Sequence, residues 1–301
     1  MPTVDWTPAL EALDESTTGM YGPTSFNGYL ETHGMDSGRF RTPRHISIND
    51  RSDLAPALTD AETMVLRLGR SPGERGTQFV LVRAPSGLSA FFLDEETEFD
   101  NPTKSWDMRP SGADIEWLDQ ARRDILDGYR LLPTFSEASL VNLALSAGIV
   151  SDALDLDPDS IGAAPATVST TFDFEFVPDE SIDTVLSHNA GHVEIDAIAV
   201  TRRDGQRVLL IIEAKTGATG AVPKHKLAYP VFALSNEAAQ FDEVIPVFLR
   251  ADYDGKAITY DIHQCSPPRT STGEHCLTAL TVTSHRRYHL QVAEESHNDS
   301  R

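Results

Sequence analysis

The clearest hydrophobic pattern of the chain lies between residues 167 and 217. Residues 167–176 alternate, with Asp173 and Glu175 in the polar row, which is typical of a half-buried strand. Residues 209–212 form a continuous apolar run instead, which is typical of a strand buried on both faces. The dipeptide Asp204-Gly205 precedes that run and favours a tight turn, because both residues tolerate positive φ. We therefore predict a strand at 167–176 and a hairpin over 191–217.

A two-residue loop at Asp204-Gly205 fixes the register of this hairpin. It places Asp196 opposite Glu213 and Glu194 opposite Lys215, and strand alternation then puts all four side chains on one face. Facing side chains lie about 4.5–5.5 Å apart, where like charges repel. Two facing carboxylates therefore predict a bound hard cation such as Mg²⁺. The alternative is an exposed hairpin face with ordinary alternating charges, and the apolar run at 209–212 argues against it.

These residues resemble a known family. Asp196 followed in the next strand by Glu213-Ala214-Lys215 is similar to the motif of the PD-(D/E)XK nuclease superfamily, and residues 194–198 resemble its Holliday-junction-resolvase and Mrr-like branches. Ile195 stands where the family motif has proline. The resemblance implies that Asp196, Glu213 and the carbonyl of Ala214 bind Mg²⁺ or Mn²⁺, and that Lys215 assists the attacking water.

Other acids are candidates for the same site. Glu194 and Glu175 are expected to support the metal cluster, although a solvated strand face explains Glu175 as well. The family also takes an acid from a preceding helix, for which Glu137 and Asp152 are candidates. Both stay unassigned, because helix capping explains Glu137.

The segment after the motif contains the candidate nucleic-acid contacts. A helix is expected with Pro223 in its first turn, and Pro230 is expected to kink or restart it. Related helicase-associated nucleases carry Gln and Tyr one turn apart on this helix, and His225 and Tyr229 have that spacing here. Three of the five lysines also fall in or near this segment. The residues expected to contact nucleic acid are Lys224, His225, Lys226 and Tyr229, with simple packing as the alternative.

The remaining pattern completes the predicted organisation. Strands are expected at 63–68, 77–84 and 88–93, with the last two joined around residues 85–87. Helices are expected at 113–127 and at 135–147, the second with a Thr134/Glu137 capping box and an end at Gly148. A buried strand at 244–249 is expected to cross back beside the hairpin, and further β structure extends to about residue 290. The predicted fold class is α/β (α+β), with a restriction-endonuclease-like mixed sheet in residues 133–301 and a β-rich N-terminal module in residues 1–132.

Composition limits the partner surface. The chain has 46 Asp and Glu residues against 25 Lys and Arg residues, and a net charge of −21. Such a surface resembles proteins of salt-loving archaea, and it excludes a broad basic face for DNA. No apolar run approaches the length of a membrane span and no secretory start is seen, so a cytoplasmic protein is expected. Two cysteines argue against a disulfide scaffold. Four side chains are of zinc-binding type but lack half-site spacing, and incidental ligands are the favoured interpretation: His263, Cys265, His275 and Cys276.

The function expected from these observations is Mg²⁺-dependent hydrolysis of DNA phosphodiesters, by an endonuclease of the restriction or repair type rather than by an exonuclease. The expected partner is DNA, and a homodimer is compatible with this reading. The alternative is a non-catalytic nucleic-acid-binding or assembly subunit that keeps the fold. A sugar- or nucleotide-processing enzyme lacks support, because the sequence has no glycine-rich phosphate loop.

Overall fold

The computed structural model describes residues 3–71, 73, 76–95, 99, 103–106, 124, 127–129, 131–132, 134–157, 168–217 and 219–292. The helices of this part are α1 (Thr7–Asp14), α2 (Phe26–Thr32), α3 (Thr42–Ile46), α4 (Pro56–Asp60), α5 (Glu137–Ser146), α6 (Ile149–Ala153), α7 (His225–Ala233) and α8 (Ser235–Ala238). Short 3₁₀ helices lie at Ser37–Arg39, Arg51–Asp53 and Leu88–Phe91.

Eleven strands of the described part form two mixed sheets. The strands are β1 (Met20–Ser25), β2 (Met64–Arg70), β3 (Thr77–Val82), β4 (Lys104–Trp106), β5 (Val168–Phe176), β6 (Leu186–Ile195), β7 (Ala197–Arg203), β8 (Gln206–Thr216), β9 (Glu243–Tyr253), β10 (Ala257–Cys265) and β11 (Val282–Gln291). One sheet has the order β1-β3-β2-β6-β5 and the other β4-β11-β10-β9-β8-β7. The mixed α/β class is confirmed, and the restriction-endonuclease-like topology stays a prediction.

The hairpin turn forms as predicted. β7 and β8 pair from Arg203↔Gln206 to Ala197↔Ile212. The two loop residues have the positive φ that the turn requires, 52° at Asp204 and 78° at Gly205. Both of their backbone N–H groups donate to the carboxylate of Asp157, at 2.9 and 3.1 Å. The hairpin is thus fixed by its own turn and by an acceptor from the preceding connection.

β8 is the central buried strand of the fold. Leu209 and Ile211 belong to a core shared with α7 and the five-stranded sheet. Leu210 and Ile212 belong to a second core under α5 and α6. β9 runs parallel to β8 on its other side, as the sequence predicts for 244–249. The apolar run at 209–212 is therefore buried on both faces, and the prediction is confirmed.

The chain changes sheet at Asp196. β6 ends at Ile195 and β7 begins at Ala197, and these two strands lie in different sheets. Glu194 pairs with Ser169 of β5. The predicted pairing of Glu194 with Lys215 is therefore wrong. The β7–β8 ladder includes Ala197 but not Asp196, and β6, which contains Glu194, pairs with β5 instead of β8.

The N-terminal strands are not a separate module. β2 lies between β3 and β6 and meets β6 at Gly69↔Asn189. Phe79 of β3 belongs to the same core as Phe174 of β5 and Phe232 of α7. The sheet and its core thus cross the boundary predicted between residues 132 and 133.

Two N-terminal predictions are affected by this pairing. The strand predicted at 88–93 is wrong, since residues Leu88–Phe91 form a 3₁₀ helix that follows Gly87 with φ of 83°. β3 pairs with β1 and β2 instead. The elements β1, α1, α2 and α3 lie in residues 1–46, where the sequence shows no clear periodicity.

The predicted helices are partly borne out. The helix predicted at 113–127 lies outside the described residues except at positions 124 and 127. The next helix is α5, whose N-cap is Ser136 accepting from the N–H of Ser139. The Thr134/Glu137 capping box is therefore wrong, while Gly148 follows the helix in the left-handed region as predicted. α7 begins at His225 with Lys224 as its N-cap, so the prediction of Pro223 in its first turn is wrong. Pro230 lies inside α7, which continues to Ala233 without a restart.

Candidate active site

The candidate site is built at the end of β8, where the strand changes from apolar to charged residues. Strand alternation puts Glu213 and Lys215 on the face of Leu209 and Ile211. Glu213 is only 3% exposed. Its Oε1 lies 2.9 Å from the Nζ of Lys215. Both residues pair with β9, Glu213 opposite Phe248 and Lys215 opposite Arg250, so this ion pair sits on a rigid element.

Asp196 is brought to the same place by the bend between β6 and β7. Its Oδ2 accepts a hydrogen bond from the backbone N–H of Ala214 at 2.8 Å. That bond ties the carboxylate to β8 directly beside Glu213. The structure therefore brings together Asp196, Glu213 and Lys215, as the sequence predicts, although Asp196 occupies a bend rather than a ladder position.

The two acids influence each other electrostatically. Burial raises the pKa of Glu213, the Asp196 carboxylate raises it further, and the ammonium groups of Lys215 and Lys226 lower it, with a net value of about 8. Burial acts to lower the pKa of Lys215, but the carboxylates of Glu213, Glu137 and Asp196 together outweigh it, and the pKa of Lys215 is raised. The metal-free fold therefore holds Glu213 largely protonated at neutral pH, because one lysine does not balance both carboxylates when Glu213 ionises.

Glu137 is a further member that the sequence analysis left unassigned. It begins α5 and is half-buried. Burial raises the pKa of Glu137, Lys215 lowers it, and Asp196 raises it, so the net pKa is above its ordinary value. A hydrogen bond with the backbone of Thr216 holds it at the end of β8. The only sequence signal was an acid in the first turn of the helix before the sheet, and capping explained that signal equally well.

We call Glu137, Asp196, Glu213 and Lys215 the carboxylate cluster. The atoms of this cluster that could coordinate a metal are all carboxylate oxygens, which suit a hard cation such as Mg²⁺. Among the described residues, no three His, Cys, Asp or Glu side chains converge as a preformed metal site. The Lys215 ammonium stands against Glu213 in this arrangement. The carboxylate oxygens therefore fit a divalent cation. Without a bound metal, the Lys215 ammonium is the positive charge that faces these carboxylates.

The two supporting acids lie outside the carboxylate cluster. Glu194 is exposed, and its carboxylate lies 3.8 Å from the Nζ of Lys226. Glu175 is exposed on β5 and accepts from the hydroxyl of Ser187 at 3.4 Å. The structure does not bring Glu175 to the metal candidates, because β5 belongs to the five-stranded sheet. Asp152, also left unassigned, accepts from Lys104 and Tyr288 and has a structural role.

The predicted nucleic-acid contacts divide into two groups. Lys224 is 7% exposed, and its Nζ donates to the carbonyl of Thr278 at 2.7 Å. The structure therefore does not bring Lys224 together with the other three predicted contacts, and Lys224 lines a different cavity. His225, Lys226 and Tyr229 instead line a cavity of about 320 Å³. Tyr229 is itself buried and donates from its hydroxyl to the carbonyl of Arg67.

This cavity adjoins the carboxylate cluster, and the N-terminal segment builds one of its walls. Residues 47–49 and Arg67 line it opposite α7, and His188, His192 and Glu194 of β6 complete it. Lys226 connects the two features, because its charge also lowers the pKa of Glu213 and of Glu137. Sequence analysis missed Arg67, since nothing in its own segment indicates that β2 pairs beside β6.

The four residues of zinc-binding type lie in aromatic and core packing. The ring of His263 stacks on that of His285 at 4.4 Å between centroids, and His275 stacks on Phe232 at 4.8 Å. Cys265 and Cys276 are buried free thiols. Burial raises the pKa of the Cys265 thiol to about 12.

Comparison with known proteins gives one partial match. A family model described as "Domain of unknown function (DUF6997)" matches residues 122–266. The matched segment contains β5 to β10 and the whole carboxylate cluster. No curated protein matches the chain. No helix of the described residues is long and apolar enough to cross a membrane. The carboxylate cluster of this chain thus lies inside a segment similar to a domain family whose function is unknown.

Proposed function

We propose that this protein is a metal-dependent nuclease that hydrolyses phosphodiester bonds of DNA. The observation that carries the proposal is the buried Glu213 carboxylate, placed with Asp196 and Glu137 against a single paired lysine. Burying one acid beside two half-buried acids costs folding free energy, and a structural ion pair does not need them. Such arrangements concentrate at functional sites.

The residues of the carboxylate cluster have separate roles in this mechanism. Asp196, Glu213 and the carbonyl of Ala214 would hold Mg²⁺ or Mn²⁺. A bound metal supplies Lewis-acid stabilisation of the phosphate charge and lowers the pKa of a water molecule. Lys215, held by Glu213, is placed to donate hydrogen bonds from Nζ to the attacking water. Hydrolysis adds the hydroxyl of that water to phosphorus and breaks the bond to the sugar oxygen, which receives a proton.

The acidity of the chain determines how DNA would bind. With a net charge of −21, the surface repels a polyanion at long range. Attraction must therefore come from a few local groups, and Lys226 beside the carboxylate cluster is the best placed of the predicted contacts. We propose an interface with few phosphate contacts that works at high salt, where screening removes the repulsion.

The alternative function is a non-catalytic subunit that binds nucleic acid or assembles with a partner. One observation favours it: the Lys215–Glu213 ion pair already neutralises one acid at 2.9 Å. A cluster that serves only the fold keeps this pair and needs no divalent cation. The two functions therefore differ in whether the cluster takes up a metal.

The test is cleavage of plasmid and branched DNA in Mg²⁺ at high salt. Asp196→Asn, Glu213→Gln and Lys215→Met each remove one proposed role with little change of shape. We expect each to reduce cleavage at least about a hundredfold, the scale seen when a catalytic group is removed. Glu237→Gln, an exposed acid of α8, is the matched control and should cleave normally.

Two further measurements complete the test, one of folding and one of DNA binding. Circular dichroism must show that every variant keeps the fold, so that lost cleavage reports chemistry. DNA binding without cleavage by the wild type, in Mg²⁺ and in Mn²⁺, would favour the binding subunit. Equal cleavage by all three cluster variants would reject the proposed site.

A further inference from the structure

Arg67 differs from the other arginines inside the described part of the chain. Every other buried or half-buried arginine there has a carboxylate partner within 4.0 Å: Arg83, Arg203, Arg250 and Arg286. Arg67 has none among the described residues. Its Nη1 donates to the hydroxyl of Ser47 at 3.3 Å, and its buried Nε has no partner. In a chain this rich in acids, an inward arginine without a carboxylate leaves a positive charge in the cavity.

The other groups in the cavity also suit an anion. Lys226 also lines the cavity, and the carboxylate of Glu194, an exposed side chain, lies 3.8 Å from its Nζ. His225 adds no charge, because burial lowers its pKa to about 3, and its ring hydrogen-bonds to the backbone of Ile48. His188 is neutral, because burial lowers its pKa to about 4. The positive charge facing the cavity therefore comes from Arg67 and Lys226, and the two histidines are neutral.

Arg67 is also held firmly in place. The hydroxyl of Tyr229 donates to its carbonyl at 3.2 Å, which ties β2 to α7 across the base of the cavity. β2 in turn touches β6 at Gly69, whose added Cβ would lie 2.2 Å from the carbonyl oxygen of Asn189. These contacts fix the backbone from which the Arg67 side chain enters the cavity.

We infer that this cavity is a phosphate subsite, in which Arg67 and Lys226 bind a nucleotide phosphate of the substrate strand next to the bond that is cleaved. The inference rests on the proposed nuclease function for the identity of the ligand. The guanidinium fork matches two oxygens of a phosphate, and the ammonium adds a point charge. A volume of about 320 Å³ exceeds that of a bare phosphate and admits part of the attached nucleoside.

The test measures binding without metal and therefore without cleavage. Two trinucleotides of one sequence are titrated into the protein in chelator, one with a 5′-phosphate and one with a 5′-hydroxyl, and inorganic phosphate serves as competitor. We expect Arg67→Gln to weaken binding about tenfold to a hundredfold, the usual effect of losing hydrogen bonds to a charged group. Arg70→Gln is the matched control, an exposed arginine on the same strand, and should bind as the wild type does.

The two trinucleotides distinguish the source of the phosphate. Tighter binding of the 5′-phosphorylated strand, abolished by Arg67→Gln, assigns the subsite to a strand end. Equal binding of both strands, with equal loss in Arg67→Gln, assigns it to an internal phosphate. Either result supports the inference, and competition by inorganic phosphate is expected in both.

Unchanged affinity in Arg67→Gln, or an equal loss in Arg70→Gln, overturns the inference. Should Arg67→Gln fail to fold, Lys226→Gln in the same cavity provides the same reading, and wild-type affinity in that variant also overturns it. The nuclease proposal and the subsite inference can be rejected independently. If the protein binds the trinucleotides through Arg67 but does not cleave DNA, the nuclease proposal is rejected and the phosphate subsite is supported. If it cleaves DNA but binding does not depend on Arg67, only the subsite is rejected.

Discussion

Replacing Glu213 with glutamine should remove a pH-dependent penalty from the metal-free protein. The pKa of this carboxyl is about 8 in the fold, against an ordinary value of 4.5. Between these values the folded protein holds a proton that the unfolded chain has released. Stability therefore falls as pH rises from about 4.5 to about 8. Each pH unit corresponds to about 1.4 kcal/mol, so the penalty reaches up to about 3 kcal/mol at pH 7.

The assay is urea unfolding in chelator at several pH values from 5 to 8, for the wild type and Glu213→Gln. Glutamine keeps the shape and an oxygen for Lys215 but cannot ionise. The difference in unfolding free energy between the two proteins should move in favour of the variant as pH rises, by up to about 1.4 kcal/mol per unit. Glu237→Gln should show no such trend. A difference that stays constant across this range would refute the reasoning, because Glu213 would then ionise as readily in the fold as in the unfolded chain.

Three other predictions follow from different parts of the fold. Gly69→Ala should lower the unfolding free energy by more than about 2 kcal/mol in urea titrations, because φ is 83° and the new Cβ would meet the carbonyl oxygen of Asn189; wild-type stability would contradict the close contact. The pKa of His188 is lowered to about 4 by burial, so this residue should contribute stability that is full above pH 6.5 and falls as pH drops toward 4. His188→Gln should make the unfolding free energy depend less on pH between pH 7 and pH 5. An unchanged pH dependence would argue against a buried neutral ring. The logarithm of the DNA affinity, measured in Ca²⁺, should fall only slightly with the logarithm of salt concentration, and Lys226→Ala should reduce this slope by about one unit. Lys224→Met should leave the slope unchanged and lower the melting temperature. A slope that depends on Lys224 would contradict its burial.

The hairpin could be predicted because its determinants are local. Asp204-Gly205 sets the turn, and the run at 209–212 marks the strand that must be central. Together they bring Glu213 and Lys215 to one face without any tertiary information. The position of Asp196 was predicted for a partly wrong reason. Its bend depends on β5 and β2, which pair with the two sides of the preceding strand β6, and β2 lies far away in sequence.

The exposure of individual side chains depended on packing that the sequence does not show. Lys224 and Lys226 are two residues apart and equally polar. The start of α7 turns one toward the carbonyl of Thr278 and the other toward the cavity. Arg67 reaches that cavity only because β2 lies beside β6, a parallel contact between distant segments. Such non-local pairings decide which charges meet, and local patterns carry no information about them.

Uptake of a divalent cation by the carboxylate cluster can be measured by anomalous scattering from crystals soaked in Mn²⁺. We expect one strong manganese peak liganded by Asp196 and Glu213, and its loss in Glu213→Gln crystals soaked in the same way. Absence of a peak there in the wild type, with Lys215 still paired to Glu213, would show that the cluster binds no metal and is a structural feature.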